Sequence, residues 1–365
     1  MSDTFTPLPA RPAPPAPGGP LRWLRRQLFG DLSSTLTTVV LLGLAAWYLP
    51  GLLDWALLSA RFAADPEACQ AARGVGACWG AVAEKHRLII FGRYPFDEQW
   101  RPLVASALLM GLLLACCARR LWKPWLPVLV VAGLAVYFML MRGGVAGLER
   151  VDTDLWGGLP LTLLLASLSI VIAFPLAVLI ALGRRSKLPA IRSLCTVYVE
   201  LVRGVPLISV LFMASFMFPL FMPHGVKIDV LLRVLLGISL FAAAYLAEIV
   251  RGGLQAVPAS QIEAAQALGL GYWQQQRLVV LPQALATVLP GLVNSFIGIF
   301  KDTSLVTIVS LYELTGSMGL AFADADWRPF KIEGYLFITA IYFAFCFAMS
   351  RFSLHVEKNL KRSRG

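Results

Sequence analysis

The chain has 365 residues, of which 58% are hydrophobic and only 15% are charged, with a formal net charge of +11. Soluble globular domains carry about 45–50% apolar and about 25% charged residues, so this composition excludes an ordinary soluble fold and indicates a membrane protein. Lys and Arg lie in short connections between apolar runs rather than in one patch, which is typical of cytoplasmic loops and argues against nucleic-acid binding.

Residues 1–33 are predicted to be a disordered tail. Prolines and glycines dominate its first twenty residues, and such a composition does not build a packed core. Arg22, Arg25 and Arg26 precede the first apolar run. Because positive charge is retained on the cytoplasmic side during insertion, we expect this tail to be cytoplasmic.

Eight apolar runs are predicted to be membrane-spanning helices, since a span needs about 20 mostly apolar residues. The runs are residues 36–58, 102–118, 124–141, 160–182, 196–221, 228–248, 286–311 and 332–352. The second is the weakest, because its uninterrupted apolar core is short. The even number places both termini on one side, and the Lys and Arg bias places that side in the cytoplasm, together with a basic tail at 355–365. We therefore expect an all-α integral membrane protein.

The polar loop at residues 59–101 falls outside in this arrangement. It contains Cys69 and Cys78, which would form a disulfide if the loop faces an oxidising compartment. Aromatic residues close the loop, which favours a folded cap with interfacial aromatics; a docking site for a soluble partner is the alternative. The other four Cys lie in or beside apolar runs, and the three His are scattered, so no metal site is predicted.

The inside loop at residues 249–285 is too polar to span the membrane and too patterned to be a linker. Ser260 stands in the N-cap position of a predicted helix, and Glu263 three residues later completes a capping box. Gly269 then ends this helix, as a glycine commonly does after the last helical turn. The pattern predicts a helix of about two turns on the inner face.

A second short helix is predicted from Tyr272 to Val280, with Pro282 ending it. Two short helices on the inner face need a surface to pack against. Ala264 and Ala265 are small, so they permit close approach of another surface. The residues alone leave two interpretations open: an amphipathic hairpin lying in the membrane interface, or a docking site for a cytoplasmic protein.

A specific sequence pattern favours docking. Glu263-Ala264-Ala265 is followed after three residues by Gly269, after nine more by Val279, and then by Leu281-Pro282. This order closely resembles the EAA loop of ABC importer permeases, whose short helices sit in a groove on a separate ATPase subunit. The resemblance implies an ATPase-coupling role for Ser260, Glu263, Ala264, Ala265, Gly269 and Pro282.

Three further segments narrow the resemblance. Residues 157–163, 198–207 and 300–305 are similar to the polar amino-acid uptake group, the histidine/glutamine type of permease. The similarity covers residues 156–352 and implies that 156–354 form a type I permease core of five spans. The three extra spans within 34–155 resemble the M-type subunit of the general L-amino-acid transporter.

The resemblance also implies partners and a cellular location. We expect a second permease in a heterodimer, an ATPase dimer and a periplasmic amino-acid-binding protein, all at the bacterial inner membrane. The chain contains no phosphate-binding G-x-x-x-x-G-K-[ST] motif. ATP and Mg²⁺ would therefore be used by the ATPase, and this chain would be a non-catalytic subunit that holds no cofactor of its own.

Polar residues at membrane depth are costly and mark candidates for the transport path. These are Asn294, Lys301, Asp302, Thr303 and Ser304. For Lys301 and Asp302, structural pairing with a neighbouring span is the alternative to substrate contact. The charges of Glu200 and Arg203 are expected to serve helix packing or the interface, and Glu248 and Arg251 to support the coupling loop.

Three other classes of membrane protein fit the sequence less well. A secondary transporter driven by an ion gradient is the main alternative, but its halves often show internal repeats, and no convincing repeat is found. A channel would need a filter-like sequence or pore-lining charges. An intramembrane enzyme would need a His cluster, paired carboxylates or a nucleophile elbow, and the sequence offers none of these.

Overall fold

The structure of the chain is a computed structural model, which describes residues 19–118, 121, 123–145, 147–223 and 225–362. The predictions for residues 1–18 and 363–365 lie outside the described residues. The described part is helical, as the composition predicted, and it divides into two compact units. The first unit comprises the chain up to Phe62 together with Glu67–Cys78, and the second comprises Ala63–Pro66 and everything from Trp79 onward.

The first unit contains two helices before the polar loop. Helix α1 spans Pro20–Leu28 and α2 spans Leu32–Leu53, continued by a wider turn over Asp54–Leu58. The prediction of a disordered tail is therefore wrong for α1. Its residues are mostly strong helix formers, and a proline at the first helical position is pre-organised for a helix. The unit also contains most of α3 (Pro66–Ala71).

The second unit contains the remaining helices. They are α4 (Trp79–Phe91), α5 (Trp100–Cys117), α6 (Leu126–Arg142), α7 (Gly158–Arg184), α8 (Pro189–Arg203), α9 (Leu207–Phe212), α10 (Val230–Ala256), α11 (Ala259–Ala267), α12 (Tyr272–Gln275), α13 (Leu281–Asp302), α14 (Leu314–Ala321) and α15 (Lys331–Arg362). The core lies mainly where α7 packs on α10 and α10 packs on α13. Ala173, Ala177 and Ala181 are buried at four-residue intervals on α7. Small residues at this spacing let two membrane helices approach closely.

Six helical segments of the described residues are long and apolar enough to cross a membrane. They are Leu32–Leu58, Phe96–Cys117, Gly158–Arg184, Val230–Ala256, Tyr272–Val309 and Arg328–Lys358. A bent pair, Pro189–Arg203 with Leu207–Phe221, makes seven if it is one span. The predicted span at 124–141 appears as a shorter apolar helix of 17 residues, Leu126–Arg142.

The fifth predicted span differs most from its prediction. Instead of one straight helix over 196–221, the chain bends by 104° between α8 and the helices that follow. The bend lies at Gly204-Val205-Pro206. Proline lacks the backbone N–H that a continuous helix needs, and it disfavours the helical conformation of the residue before it, so the two halves are separate.

The ends of two other helices also differ from their predictions. Helix α10 continues to Ala256, eight residues beyond its predicted end, so residues 249–256 of the predicted loop are helical. At Gly253 a Cβ atom would lie 2.7 Å from the carbonyl oxygen of Ala284, which shows how closely α10 and α13 approach there. Helix α15 likewise runs through most of the predicted tail at 355–365, because Glu, Lys and Leu in this stretch are strong helix formers.

Candidate coupling hairpin and polar membrane path

Helices α11 and α12 form a hairpin between α10 and α13, which we call the coupling hairpin and define as residues 259–280. Helix α12 does not stop at Pro282, as the sequence predicted. It continues through a π turn at Gln276–Val280 directly into α13. Pro282 lies in the first turn of α13, where a missing N–H is least costly, and the π turn absorbs the irregularity.

The beginning of α11 also differs from its prediction. The N-cap position is occupied by Pro258 rather than Ser260, and no side chain caps the helix. Pro258 has an extended ψ of 141° and a φ of −60°, so it turns the chain directly into the helix. Ser260 falls within the first turn, and the predicted capping box is absent. The exposed carboxylate of Glu263 therefore has no intramolecular partner among the described residues.

The helix stop at Gly269 follows a specific C-terminal geometry. Gly269 has a φ of +73°, its N–H donates to the carbonyl of Gln266 at 2.9 Å, and the N–H of Leu270 donates to the carbonyl of Ala265 at 3.2 Å. This pair of hydrogen bonds defines a Schellman motif, which requires a left-handed residue at this position. A Cβ atom on Gly269 would meet nothing within 4 Å. Glycine is therefore required by backbone conformation rather than by crowding.

The outer surface of the coupling hairpin is apolar as well as small. Leu268 is 80% exposed, Trp273 67% and Leu278 63%, whereas Ala265 is buried. The polar side chains of the second half serve the hairpin itself. Gln274 accepts the N–H of Gly271 at 2.9 Å, and the side-chain amide of Gln275 donates to the carbonyl of Leu270 at 2.6 Å. Exposed apolar groups on a pre-formed surface are typical of a protein contact site.

A charge cluster holds the helices at the base of the coupling hairpin. Glu248 accepts from Arg184 at 2.7 Å and from Arg251, and it lies 3.9 Å from Arg203. Arg184 also pairs with Glu200 at 2.9 Å. The cluster thus joins α7, α8 and α10. The charges of Glu200 and Arg203 serve helix packing, and Glu248 with Arg251 supports the base of the hairpin, as the sequence suggested.

A central cavity of about 320 Å³ lies between α10, α13 and the start of α9. Its wall includes Phe241 and Tyr245 from α10, whose rings are 4.9 Å apart, and Ser295, Gly298 and Asp302 from α13. Residues spaced by three and four lie on one face of a helix, so α13 presents its polar groups to the cavity on a single stripe. The cavity offers a carboxylate, a hydroxyl and aromatic rings.

Of the five polar candidates taken from the sequence, Asp302 lines this cavity. Asn294 and Lys301 are exposed elsewhere on α13, and Ser304 is half-buried outside the lining. Thr303 is buried and donates its hydroxyl to the carbonyl of Phe300 at 2.8 Å. Hydroxyls in spans commonly bond their own helix in this way. The sequence did not single out Ser295 and Gly298, although they lie seven and four residues before Asp302 and therefore on the same face of the helix.

A buried carboxylate was also missed. Glu313 is fully buried at the start of α14, and its oxygens accept five hydrogen bonds. The donors are the hydroxyls of Tyr342 (2.8 Å), Thr307 (3.1 Å) and Thr162 (3.3 Å) and the N–H groups of Thr315 (2.8 Å) and Gly316 (3.0 Å). A buried charge is tolerated only when it is well hydrogen-bonded. Glu313 therefore fixes α7, α14 and α15 around the segment that follows α13.

The Gly157-Gly158 pair has a structural role at this junction. Gly158 has a φ of +61°, and its N–H donates to the carbonyl of Tyr312 at 2.9 Å. A Cβ atom on Gly157 would lie 2.6 Å from that same carbonyl oxygen. The two glycines thus allow the start of α7 to lie directly against the chain before Glu313.

Comparison with known proteins decides the family. Residues 173–362, more than half of the chain, match the family described as "Binding-protein-dependent transport system inner membrane component". The chain belongs to this family. The matched part of this permease contains the coupling hairpin, the central cavity and Glu313. Family membership implies an ATPase and a binding protein as partners, and it confirms the predicted type I permease fold and a multi-pass protein of the inner membrane.

Two relatives match the permease over nearly its full length. It is 46% identical over 363 residues to the inner membrane amino-acid ABC transporter permease protein YhdY of Escherichia coli (strain K12), covering 98% of this chain and 97% of YhdY. It is 37% identical to the glutamate/glutamine/aspartate/asparagine transport system permease protein BztC of Rhodobacter capsulatus, covering 97% of each chain. The predicted resemblance to ABC importer permeases is thus confirmed, and at this coverage it extends over residues 34–155.

A solved structure supports the fold of the permease core. A crystal structure of an amino acid ABC transporter with histidines matches the permease with a TM-score of 0.50 and 32% sequence identity. The match covers 55% of this chain and 92% of the other. The shared part is therefore most of that smaller chain, and the permease has further residues outside the match.

Proposed function

We propose that this permease imports polar L-amino acids across the bacterial inner membrane, driven by a separate ATPase that engages the coupling hairpin. The observation that carries the proposal is the combination of an EAA pattern with a rigid, exposed hairpin. Glu263, Ala264 and Leu268 are exposed at its surface, and the charge cluster around Glu248 fixes its base. The amino-acid substrate is supported by the full-length similarity to permeases named for amino-acid transport.

The helix connections support a mechanical role for the hairpin. Because α12 is continuous with α13, a displacement of the hairpin moves α13 as a lever. Helix α10 leads into the hairpin at its other end, and these two helices carry most of the wall of the central cavity. An ATPase that fits one position of the hairpin better than another would therefore favour one shape of the cavity.

The proposal includes an orientation. With the coupling hairpin in the cytoplasm, both termini are cytoplasmic and the polar loop at 59–101 is periplasmic. In the structure, the sulfur atoms of Cys69 and Cys78 are bonded, with Cα atoms 5.6 Å apart. A disulfide persists in an oxidising compartment such as the periplasm, which agrees with this orientation.

The proposed assembly contains an ATPase dimer, a second permease in a heterodimer with this one, and a periplasmic amino-acid-binding protein. ATP and Mg²⁺ are used by the ATPase, and no cofactor is assigned to this chain. Asp302 and Ser295 are the proposed substrate contacts in the central cavity, because they are polar groups lining it at membrane depth.

Co-purification tests the coupling role. The native chain, Glu263→Lys and Gly269→Val are each co-expressed with the ATPase and the second permease and purified in detergent. Glu84→Lys is the control for charge reversal, because Glu84 is exposed on α4 outside the hairpin, and Gly252→Ala is the control for glycine, because a Cβ atom there meets nothing within 4 Å. We expect the two hairpin variants to insert normally but lose the ATPase, while the controls retain it. Equal retention by all five proteins would refute the coupling role.

A further inference from the structure

A second cavity lies at the end of α10 opposite the coupling hairpin. It has a volume of about 700 Å³ and is lined by the start of α10, by Arg93, by the turn at 152–154, by residues between 218 and 229, and by Val309–Leu311. We call it the distal cavity. Helix α10 has 27 residues and is therefore about 40 Å long, which separates the two ends by the thickness of a membrane.

Two of the three carboxylates in the distal cavity already have partners. Asp229 accepts the N–H of Leu231 at 2.7 Å, as the N-cap of α10, and also accepts the hydroxyl of Thr153. Asp152 is paired with Arg150 at 3.0 Å. These two side chains therefore maintain the walls of the cavity. Asp154 is exposed, and its carboxylate has no partner among the described residues.

The cationic side chains are less completely paired. Lys227 is exposed and has no hydrogen-bond or ion-pair partner among the described residues. Arg233 is half-buried and donates only to the main-chain carbonyl of Ser215, while its Nε atom is buried without a partner. Neither cation has a described carboxylate within 4.0 Å, and Asp154 and Asp229 likewise have no cationic partner among the described residues, so the cavity presents unpaired charges of both signs.

The third cation is held in place. Arg93 donates to the carbonyl of Asp154 at 2.5 Å and lies over the ring of Tyr312, 4.9 Å from its centroid. The remaining wall is apolar and includes Phe218, Met222 and Val226. A concave site of a few hundred Å³ with apolar walls and a few convergent charges is typical of a binding site for a small molecule.

The distal cavity is close along the chain to the central cavity. Asp302 lines the central cavity, and Val309 lines the distal one, so the 3₁₀ segment Thr303–Val309 connects the two. Glu313 holds this segment through the hydroxyl of Thr307 at 3.1 Å. A molecule in the distal cavity would thus contact the chain that leads to the central cavity.

We propose that the distal cavity is a loading site that binds a free amino acid, with Lys227 and Arg233 on its α-carboxylate and Asp154 on its ammonium group. The inference rests on the proposed function, since it assumes that amino acids are the cargo. It assigns to this chain a substrate site on the side opposite the ATPase. Both ionic groups of an amino acid find the opposite charge there, and the apolar wall accommodates the side chain.

Equilibrium binding to the complete complex in nanodiscs, without the binding protein, tests the loading site. The probes are radiolabelled L-glutamate and L-glutamine and the α-amide of each, which lacks the α-carboxylate. We expect the native complex to bind the acids but not the α-amides, and each of Lys227→Gln and Arg233→Gln to bind the acids about tenfold more weakly. Arg328→Gln is the matched control, because Arg328 is an exposed cation that neither lines the cavity nor pairs with a described residue that lines it.

Three results would overturn the loading site. The first is equal binding of the acids and their α-amides, and the second is unchanged binding by both variants. The third is a weaker affinity of the variants for the periplasmic binding protein, measured by surface plasmon resonance, while their affinity for free amino acids is unchanged. The two cations would then be part of a docking surface for that protein. Because Lys227 is exposed, its variant remains informative if Arg233→Gln does not fold. Failure of the proposed function is distinguishable, since a native complex would then show no ATP-driven uptake.

Discussion

Replacement of Glu313 is expected to destabilise the permease more than any other single change in its transport core. In Glu313→Ala, the first turn of α14 loses its N-cap, which costs about 1 kcal/mol. The hydroxyls of Tyr342 and Thr307 lose a buried acceptor, and each such loss costs about 1–3 kcal/mol. Thr162 keeps a second acceptor, the carbonyl of Gly158 at 3.1 Å, so it adds little. The free energy of unfolding should fall by about 3–7 kcal/mol.

Glu313→Gln is the decisive comparison for this prediction. Its amide oxygen can still accept from Thr307, Thr315 and Gly316, and the hydroxyls of Tyr342 and Thr162 can rotate to face the amide nitrogen. We expect a loss of only about 1–2 kcal/mol in this variant. Unfolding is followed by titration with sodium dodecyl sulfate, with Glu84→Ala as an exposed control that should change stability by less than about 0.5 kcal/mol. If Glu313→Ala unfolds no more easily than Glu313→Gln, Glu313 does not hold these helices.

Three further predictions concern the helices outside the coupling hairpin. Arg101 is fully buried and donates to the carbonyls of Leu140 at 2.8 Å and Glu149 at 2.9 Å. Arg101→Met should therefore lower the free energy of unfolding by about 2–4 kcal/mol in the same titration. A loss no larger than that of Glu84→Ala would contradict a stabilising role for Arg101. Lys85 donates to Asp324 at 3.0 Å and holds the pKa of that carboxyl below its ordinary value. A carboxyl whose pKa is lowered stabilises the fold at pH values above its ordinary pKa, and this contribution disappears as pH falls through the lowered pKa. The stability difference between the native chain and Asp324→Asn should therefore be present at pH 6 and absent at the lowest pH at which the chain remains folded. A difference independent of pH would show that the ion pair is irrelevant. The disulfide is tested by thiol alkylation of the membrane-inserted chain, read by mass spectrometry. Without reductant, Cys69 and Cys78 should stay unmodified, and after reduction both should be labelled. Labelling before reduction would show that the pair is not bonded in the cell.

The sequence predicted the membrane helices well because the hydrophobic signal is local. Long apolar runs must be helical in a bilayer, where each backbone group needs an internal partner, so span existence followed directly from composition. The errors lie where local chemistry allows two outcomes. Pro206 breaks a predicted helix, whereas Pro282 is accommodated by a π turn before it. Ser260 satisfies the rule for a capping residue, but Pro258 begins the helix instead.

The candidate site was predictable only in part. The specific spacing of the EAA pattern predicted the position of the hairpin between α10 and α13. The central cavity depends on which face of α13 meets α10, so a list of polar residues from the sequence included Asp302, which lines the cavity, together with Asn294 and Lys301, which do not. In the sequence, nothing distinguishes Glu313 from an ordinary carboxylate in a loop. Its role depends on donors as distant as Thr162 and Tyr342, which only the packing of α7 and α15 brings together.

The central claim is that ATP hydrolysis by a partner moves the substrate through this permease by way of the coupling hairpin. The most direct test measures ATP hydrolysis and uptake of radiolabelled L-glutamine and L-glutamate in the same proteoliposomes, with the complete complex, the binding protein and no ion gradient. We predict that uptake requires ATP on the hairpin side and that Glu263→Lys abolishes both uptake and the hydrolysis that the binding protein stimulates. Uptake that proceeds without ATP and follows an imposed ion gradient, unchanged by Glu263→Lys, would contradict the account and indicate a secondary transporter.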